Sequence, residues 1–411
     1  MGEFGVSADS HRTRAILSAR RPRRPPPVRR LARNRKACDP ALVARVVRLV
    51  SLALCAAAAA LTCRPPPAPP PVRAPIEPSS LPRAPAPTRG TALEAVIGAV
   101  PRPSSPSSIR AADGPFRLAF GSCSDLSRPI NPWPSILATK PDVWIWLGDN
   151  IYADTEDVAR MRELYQQTKA HPDYAQLLVS ATVIGTWDDH DYGANNAGKE
   201  YPQRDASQAA LLDFLDEPAD SLRRHQAGVN AAYDLGPDGR RIRVILLDTR
   251  YHRDEPGPDG DVLGETQWRW LESQLRGSPS RAHVLVSSIQ VVADEQIYEK
   301  WGNFPRARAR LLALLDEVAP RNLIVLSGDR HFAELSRLPL PAGAALVDVT
   351  SSSLSRPLPS PPDEPNRYRV GAVYPGVNFG LLEYDWAGGR LHVSIRDDAG
   401  RPRIVHIISL D

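Results

Sequence analysis

The chain has 411 residues, with 51 lysines and arginines against 47 aspartates and glutamates, for a net charge of +4. Residues 1–89 carry +13 and the remainder carries −9, which argues against a nucleic-acid-binding body because such a body needs a basic face for phosphate contacts. Of the four cysteines only Cys123 lies beyond residue 63, which excludes a disulfide framework in the larger, acidic part of the chain.

Residues 1–63 combine an arginine-rich stretch with a short apolar run. The uninterrupted apolar part, residues 49–61, has 13 residues, which is short for a membrane span of about 20 and suits a signal-peptide core of about 7–15. The arginine pairs before it fit a twin-arginine export signal. Cys63 at its end suits a lipid anchor, although Thr62 fits that signal poorly. We expect an exported protein, periplasmic or lipid-anchored to the cell envelope; a later start codon and a retained membrane helix are the alternatives.

Residues 64–115 form a proline-rich segment without aromatic side chains. Twenty of the 42 prolines lie in residues 1–115, and Phe4 is the only aromatic residue before Phe116. Such a composition buries too little apolar surface to offset the entropy of ordering, which predicts a disordered tail. We therefore expect an extended linker over residues 64–115 and one folded domain over residues 116–411.

Short apolar runs, each closed by polar residues, recur along this domain and predict buried strands. The predicted strands span residues 116–120, 143–147, 182–187, 241–247, 283–287 and 323–327. Helical patterns cover residues 157–170, 264–275 and 306–318, and a meander of three strands covers residues 378–408. The alternation of strands and helices indicates an α/β sheet covered by helices.

The chemically active residue types follow the predicted strands. Ligand sites in open α/β sheets lie at the carboxyl ends of strands, so we expect these residues to converge. They are Cys123, Asp149, Asn150, Tyr152, Asp188, Asp189, His190, Asp191, Asn195, Asn196, Asp329, Arg330 and His331. Carboxylate and amide oxygens suit Mg²⁺, Ca²⁺ or Mn²⁺, whereas a thiolate or phenolate suits Fe³⁺ or Zn²⁺. The mixture predicts two metal positions of different character.

This donor set also suits phosphoryl transfer, in which two metals about 3.5–4 Å apart clamp a phosphoryl group and activate a water. Asp149 is the best-placed bridge, and His190 is a candidate general acid. Arg330 is a candidate for neutralising phosphate oxygens. A closed structural site would not need spare polar groups such as His190, Arg330 and Asn150, so these three are the predicted catalytic residues. Segments 248–252 and 301–304 are either pocket walls or ordinary turn and packing segments.

Each of these residues taken singly has an ordinary structural interpretation, such as a helix N-cap or a core side chain. Residues 188–191 are different because four consecutive ionisable groups follow a strand directly. Their mutual repulsion is costly unless a cation is present.

Four motifs together resemble the alkaline phosphatase D (PhoD-like) family of metallophosphoesterases. They are Gly121-Ser122-Cys123, Gly148-Asp149-Asn150-Ile151-Tyr152, Trp187-Asp188-Asp189-His190-Asp191 with Asn195-Asn196, and Gly328-Asp329-Arg330-His331. The resemblance runs from about residue 116 to at least residue 355. It implies an α/β fold in a four-layer α/β/β/α sandwich of two mixed sheets, preceded here by the disordered tail. Periodicity alone indicates a single sheet.

The resemblance further implies a calcium-dependent phosphoesterase with Fe³⁺ and Ca²⁺, for which Mn²⁺, Mg²⁺ or Zn²⁺ are alternatives. On that pattern Cys123 and Tyr152 bind iron, Asp149 bridges, and Asp329 and His331 complete the cluster. Calcium would be held by one of three residues, namely Asp189, Asn195 and Asn196. The expected reaction is hydrolysis of phosphomono- or phosphodiesters through a metal-bound hydroxide.

Two departures from the family leave the substrate open. Founding members carry a small β domain before the catalytic domain and a carboxyl-terminal helix over the site, whereas this chain has a proline-rich tail and ends in strands. We expect a small-molecule phosphoester substrate, no nucleic-acid partner, a monomer and a membrane tether through Cys63. The alternatives are a phospholipase- or nuclease-like diesterase and a non-catalytic envelope-tethered protein whose metal site is structural.

Overall fold

The computed structural model describes residues 115–410, so the predicted signal region and nearly all of the linker lie outside the described residues. The strands are β1 (Phe116–Gly121), β2 (Val143–Leu147), β3 (Thr182–Thr186), β4 (Ala231–Leu235), β5 (Ile242–Leu246), β6 (Ala282–Val286), β7 (Leu323–Ser327), β8 (Ala333–Pro339), β9 (Ala345–Ser351), β10 (Asn378–Asp385), β11 (Arg390–Asp397) and β12 (Pro402–Ser409). The helices are α1 (Trp133–Ala138), α2 (Val158–Ala170), α3 (Pro172–Ser180), α4 (Asp189–Tyr192), α5 (Arg204–Phe214), α6 (Gly264–Leu275) and α7 (Pro305–Val318). None of these helices is both long enough and apolar enough to cross a bilayer.

The strands form two mixed six-stranded sheets. The first has the order β12-β11-β10-β1-β2-β3, with parallel pairing from β1 to β3 and antiparallel pairing from β1 through β10 to β12. The second has the order β4-β5-β6-β7-β9-β8, with β5, β6, β7 and β9 parallel and both edge strands antiparallel. The two mixed sheets implied by the family resemblance are confirmed. The single sheet suggested by periodicity is wrong, because periodicity reports which face a strand buries and not which strands pair.

Alternate residues of each strand face different layers, as the period of two requires. Ile145 of β2 and Val284 of β6 lie in the core between the sheets, whereas Trp146 packs outwards against α3. On the outer face of the second sheet, α6 contributes Trp268 and α7 contributes Leu311 to a third apolar cluster. Burying one such large side chain stabilises the fold by roughly 1.5–3 kcal/mol, so the alternation specifies the α/β/β/α layers.

Local sequence signals set the bounds of several elements. Asp157 caps α2 by accepting hydrogen bonds from the backbone N–H groups of Ala159 at 3.0 Å and Arg160 at 3.2 Å. Pro172 cannot continue α2 and instead occupies the first position of α3, where its missing N–H is not needed.

Most of the predicted elements are confirmed to within about one residue. These are the six strands, the three helices and the carboxyl-terminal meander. The elements that sequence patterns did not predict are β4, β8, β9, α1, α3, α4 and α5.

Candidate metal centre

The polar strand ends meet at one edge of the two sheets. Cys123 follows β1 and Asp149 follows β2 in the first sheet, and Asp329 follows β7 in the second. The backbone ties these ends together, since the Ser124 N–H donates to the Asp149 carbonyl at 2.9 Å. The predicted convergence of side chains from separate strands is therefore present.

Two glycines allow this close approach. Gly148 has φ +107°, and a Cβ added there would lie 2.6 Å from the Cβ of Asp188. A Cβ at Gly328 would lie 2.6 Å from Ser122 Oγ. A side chain at either position would separate the strand ends, which explains the Gly-Asp pairs.

Backbone strain is concentrated at the same place. Five non-glycine residues of the predicted site have left-handed backbone, at a cost of order 1–3 kcal/mol each. They are Cys123 (φ 59°), Asp149 (φ 50°), Asn196 (φ 56°), Asp329 (φ 68°) and His331 (φ 58°). Strain of this kind persists where surrounding structure imposes it, and it is typical of functional sites.

One group of side chains combines sulfur, oxygen and nitrogen donors. Cys123 Sγ lies 3.3 Å from Asp149 Oδ2, and Tyr152 OH lies 3.2 Å from the same oxygen. Tyr152 OH is also 3.0 Å from His331 Nε2. Ligand atoms of Cys123, Asp149 and His331 all lie within 4.8 Å of one another. A thiol, a phenol, an imidazole and a carboxylate in this space suit a transition-metal ion.

A second group consists of carboxylates. Asp189 lies within 4.8 Å of Asp149 and His190 in one set, and of Asp188 and Asp329 in another. Asp188 Oδ2 is buried and accepts no hydrogen bond from any residue in the described range 115–410. A buried carboxylate oxygen without a donor is costly, and a hard cation such as Ca²⁺ would satisfy it. The donors present therefore fit two cations. Asp149 belongs both to the group with Cys123 and to the group with Asp189, and Asp189 belongs to two of the carboxylate sets.

The electrostatics of the cluster also favour bound cations. Burial, with the neighbouring Cys123 and Asp189, raises the pKa of Asp149 well above its ordinary value. Burial raises the pKa of Asp188 to about 7, against the opposing charge of Arg250. Burial and the nearby carboxylates likewise raise the pKa of Asp329. Because burial and neighbouring carboxylates oppose ionisation of these groups, a bound cation would stabilise their ionised forms.

The two histidines of the site differ in character. Burial, with the positive charge of Arg356, lowers the pKa of His331 to about 4, so its imidazole is neutral and able to ligate a metal. His190 Nδ1 lies 2.7 and 2.9 Å from the two carboxylate oxygens of Asp154. Although burial opposes it, this hydrogen bond and the charge of Asp189 raise the pKa of His190.

The predicted asparagines are placed at different depths. Asn195 and Asn196 are exposed and line the cavity beside the cluster, and the Asn196 N–H donates to Asp189 Oδ2 at 2.7 Å. Asn150 is buried, and its Nδ2 donates to Asp191 Oδ2 at 2.6 Å and to the Thr186 carbonyl at 2.9 Å. These contacts make Asn150 a support for the segment after β3, and its catalytic role stays a prediction.

Two buried arginines behind the cluster were not identified as site residues from the sequence. Arg250 Nε donates to Asp188 Oδ1 at 2.6 Å, and the same guanidinium lies 2.6 Å from Glu299. Arg253 donates to Glu299 Oε1 at 2.7 Å and to the Asn196 carbonyl at 2.6 Å. Glu299 therefore joins both arginines and links the carboxylate segment to residues 295–303. Segment 248–252 had suggested only a pocket wall or a turn.

Arg330 lines the cavity, and its guanidinium is only partly paired. Its guanidinium lies 4.4 Å from the ring centre of Tyr298, and its Nη2 donates to Glu364 at 2.6 and 2.8 Å. Its Nε is buried and has no hydrogen-bond partner within the part of the chain that the structure describes. On the opposite side, Arg356 lies 4.2 Å from the ring centre of Tyr152. Sequence patterns missed Arg356, Asp154 and Glu364, because only the folded chain brings them to the site.

The cavity beside the cluster has a volume of about 720 Å³, within the range of pockets that enclose small organic ligands. Its lining residues are Asp189, His190, Asn195, Asn196, Arg253, Glu255, Pro256, Ile297, Tyr298, Glu299, Asn303, Asp329, Arg330, His331, Leu358 and Glu364. A second cavity of about 530 Å³, lined by residues of β10, β11 and the α1 region, contains no residue of the cluster.

Comparisons with known proteins agree with this geometry. The sequence profile of PhoD-like phosphatases matches residues 118–373. Alkaline phosphatase D of Bacillus subtilis (strain 168) is 24% identical over 272 residues, covering 54% of this chain and 46% of that protein. The chain thus covers less than half the length of this curated relative.

Two solved structures share the fold. One described as the structure of PhoD superposes with a TM-score of 0.57 at 18% identity, covering 73% of this chain and 69% of that one. The other, GAP50, the anchor in the inner membrane complex of Plasmodium, has a TM-score of 0.51 at 13% identity, covering 72% and 90%. At these identities the likeness extends to the fold alone.

Proposed function

The chain belongs to the PhoD-like phosphatase family, and we propose that it is a metal-dependent hydrolase of phosphomono- or phosphodiesters. The observation that carries the proposal is the position of Asp149. A carboxylate oxygen of Asp149 lies within 4.8 Å of ligand atoms of Cys123 and His331. In a second set, Asp149 lies within the same distance of Asp189 and His190. Both sets adjoin the 720 Å³ cavity through His331, Asp189 and His190.

We propose Fe³⁺ in the group formed by Cys123, Asp149, Tyr152 and His331, because thiolate and phenolate donors suit that ion. Ca²⁺ would occupy the carboxylate group around Asp189, with Mn²⁺, Mg²⁺ or Zn²⁺ as alternatives in either position. Bound cations of this kind polarise phosphoryl oxygens and lower the pKa of water.

Arg330 and His190 are the residues of this chain that would act on the substrate. The guanidinium of Arg330, which lines the cavity, would bind a phosphoryl oxygen. Asp154 holds Nδ1 of His190, so the other ring nitrogen would deliver a proton to the leaving oxygen. Asp154 is then a positioning residue that orients this imidazole.

We also propose that the protein is exported through residues 1–63 and acts in the periplasm or on the envelope, tethered by a lipid at Cys63. The support is the 13-residue apolar run with its preceding arginine pairs. A monomer that hydrolyses small-molecule phosphoesters is the form that we propose.

The test is hydrolysis of a phosphomonoester and a phosphodiester reporter by the full chain supplied with Ca²⁺ and Fe³⁺. We expect turnover that a chelator abolishes, and a loss of at least about 10³-fold in Asp149→Asn, comparable to the loss of a major transition-state interaction. Asp157→Asn is the matched control, because asparagine caps a helix as well as aspartate does. The ratio of the two rates decides between monoesterase and diesterase.

If folded protein that contains metal hydrolyses neither reporter, the proposal is contradicted and a structural metal site becomes the better interpretation. Loss of folding on metal removal would support that alternative.

A further inference from the structure

The mouth of the cavity carries an apolar surface that phosphoryl binding does not use. Ile297 is 86% exposed and Tyr298 is 53% exposed, and both line the cavity with Pro256 and Leu358. One exposed apolar residue is ordinary on a soluble protein. Several at the mouth of a polar cavity indicate a binding surface.

This surface is held in place by the structure around it. The Tyr298 N–H donates to Gln296 Oε1 at 2.5 Å, and the Tyr298 carbonyl accepts from Lys300 Nζ at 3.1 Å. The next residue, Glu299, is joined to the buried Arg250 and Arg253. The apolar side chains therefore stand on a segment that is itself tied to the carboxylate cluster.

The apolar surface of Ile297 and Tyr298 adjoins Arg330, the residue proposed to bind the phosphoryl group. Tyr298 lies against the guanidinium of Arg330 at 4.4 Å, and Arg330 adjoins Asp329 of the cluster. A phosphoester with its phosphoryl group at Arg330 would place its organic group over Tyr298 and Ile297. The cavity volume of about 720 Å³ leaves room for such a group.

The charges around this surface limit what the organic group can be. Glu255 and Glu364 line the same cavity as Ile297 and Tyr298, and Glu364 is held by its ion pair with Arg330. A further anionic group on a substrate in this cavity would be repelled by these carboxylates, and such repulsion between like charges reduces affinity.

We infer that the Ile297–Tyr298 surface is a subsite for the organic group of the substrate, and that it selects uncharged, apolar groups over small or anionic ones. The inference rests on the proposed phosphoesterase function and adds the substrate class to it. The occupant is the organic part of a phosphoester that carries a single phosphoryl group.

The test measures binding of non-hydrolysable phosphonates by isothermal titration calorimetry, using the metal-loaded full chain. The probes are methylphosphonate, benzylphosphonate and 4-carboxybenzylphosphonate. We expect benzylphosphonate to bind about tenfold more tightly than methylphosphonate, since a partly covered aromatic ring gains roughly that from apolar burial. The carboxylated probe should lose most of this gain.

Ile297→Ser is the informative variant, because Tyr298 also contacts Arg330 and its removal would weaken every phosphonate. Ile297→Ser should reduce the benzyl-to-methyl affinity ratio by about threefold or more while leaving methylphosphonate binding unchanged. Val179→Ser is the matched control, since Val179 is an aliphatic residue of α3 with 89% exposure that does not line the cavity. It should leave the ratio intact.

Hydrolysis of the ester reporters is measured in parallel to separate two failures. Equal binding of benzyl- and methylphosphonate by an enzyme that hydrolyses the reporters would overturn the subsite and leave the phosphoesterase standing. A benzyl preference that survives in Ile297→Ser would also overturn it. If the protein neither binds the phosphonates nor hydrolyses the reporters, both the proposed function and the subsite are contradicted.

Discussion

Two buried regions of the molecule place aspartates at strand ends, and they differ in what surrounds the carboxylate. Asp397, at the end of β11, accepts hydrogen bonds from the N–H groups of Ala399 at 3.0 Å and Arg401 at 2.8 Å, and from the side chains of Arg401 and Arg403. Although burial opposes it, these donors lower the pKa of Asp397. In the metal centre, burial and neighbouring carboxylates raise the pKa of Asp149.

The difference shows that a buried carboxylate indicates a cation only when protein donors do not satisfy it. Asp191 belongs to the same four-residue cluster as Asp189, yet it accepts from Asp188 N, from Asn150 and from Tyr165 OH. Asp191 therefore supports the centre, whereas no described residue donates a hydrogen bond to Asp188 Oδ2.

Substitution of Arg250, the buried arginine that contacts the metal centre, should reduce the stability of the protein the most. Arg250→Met leaves the buried Asp188 and Glu299 without their shared partner, which should lower the free energy of unfolding by about 3–5 kcal/mol. Arg403→Met removes one of the arginines that pair with Asp397. It should lower the free energy of unfolding by much less, because the Arg403 side chain is 39% exposed and Arg401 still pairs with Asp397. Chemical denaturation of both variants without metal measures the contrast, and equal losses would contradict it.

Asp348 is a buried aspartate outside the metal centre that accepts hydrogen bonds from three donors, namely Val291 N, Val292 N and Ser327 Oγ. Burial nevertheless raises its pKa to about 6. A raised pKa contributes stability below the ordinary value of 3.8 that is lost as the pH rises through about 6. The wild type should therefore lose up to about 3 kcal/mol relative to Asp348→Asn between pH 4 and pH 7.

Urea denaturation of wild type and Asp348→Asn across this pH range measures the difference. A difference that does not change with pH would show that the three donors outweigh burial.

Asp149→Asn tests whether the centre is strained without metal. In chelator, the substitution removes a carboxyl group whose ionisation is opposed by burial and by its neighbours, and it should raise the free energy of unfolding by about 1–3 kcal/mol. With Ca²⁺ and Fe³⁺ present, the wild type should be the more stable protein, because binding to the folded state alone stabilises it. A loss of stability in chelator would show that the carboxylate is satisfied by the protein itself.

Asp397→Asn should have a smaller effect. It should lower the free energy of unfolding by about 1–2 kcal/mol, because the charged hydrogen bonds from Arg401 and Arg403 are weakened. Because the pKa of Asp397 is lowered, its contribution is present at neutral pH and is lost as the pH falls below the ordinary value. Hydrolysis should be unchanged. A loss of activity comparable to that of Asp149→Asn would remove the distinction between the two regions.

Periodicity and turn chemistry were enough to predict most of the layered elements. The runs at β1, β2 and β7 are apolar because they are covered on both faces, and Asp157 and Pro172 mark helix bounds through local hydrogen bonding and sterics. The short helix α1 and the strands β8 and β9 were missed. The solvent-facing part of β8 and the brevity of α1 leave no extended periodic pattern to recognise.

The convergence of Cys123, Asp149 and Asp189 could be predicted because each follows a strand of the first sheet, and the carboxyl ends of parallel strands share an edge. Asp329 and His331 follow β7 of the second sheet, so their place in the cluster depends on how the two sheets pack. The roles within the 188–191 segment could not be predicted, since identical aspartates differ only in the donors that the fold brings to them. Arg250 and Glu299 are separated by 49 positions, and no local pattern links them.

Most of the elements, the polar strand ends and the kinds of donor available to a metal could be read from local sequence, because these features depend on neighbours within a few residues. Which strands share a sheet and which carboxylates remain unsatisfied became clear only from the folded chain. The tertiary structure also places Ile297 and Tyr298 beside Arg330. Those outcomes depend on contacts between distant segments, whose free energies arise only when the chain is packed.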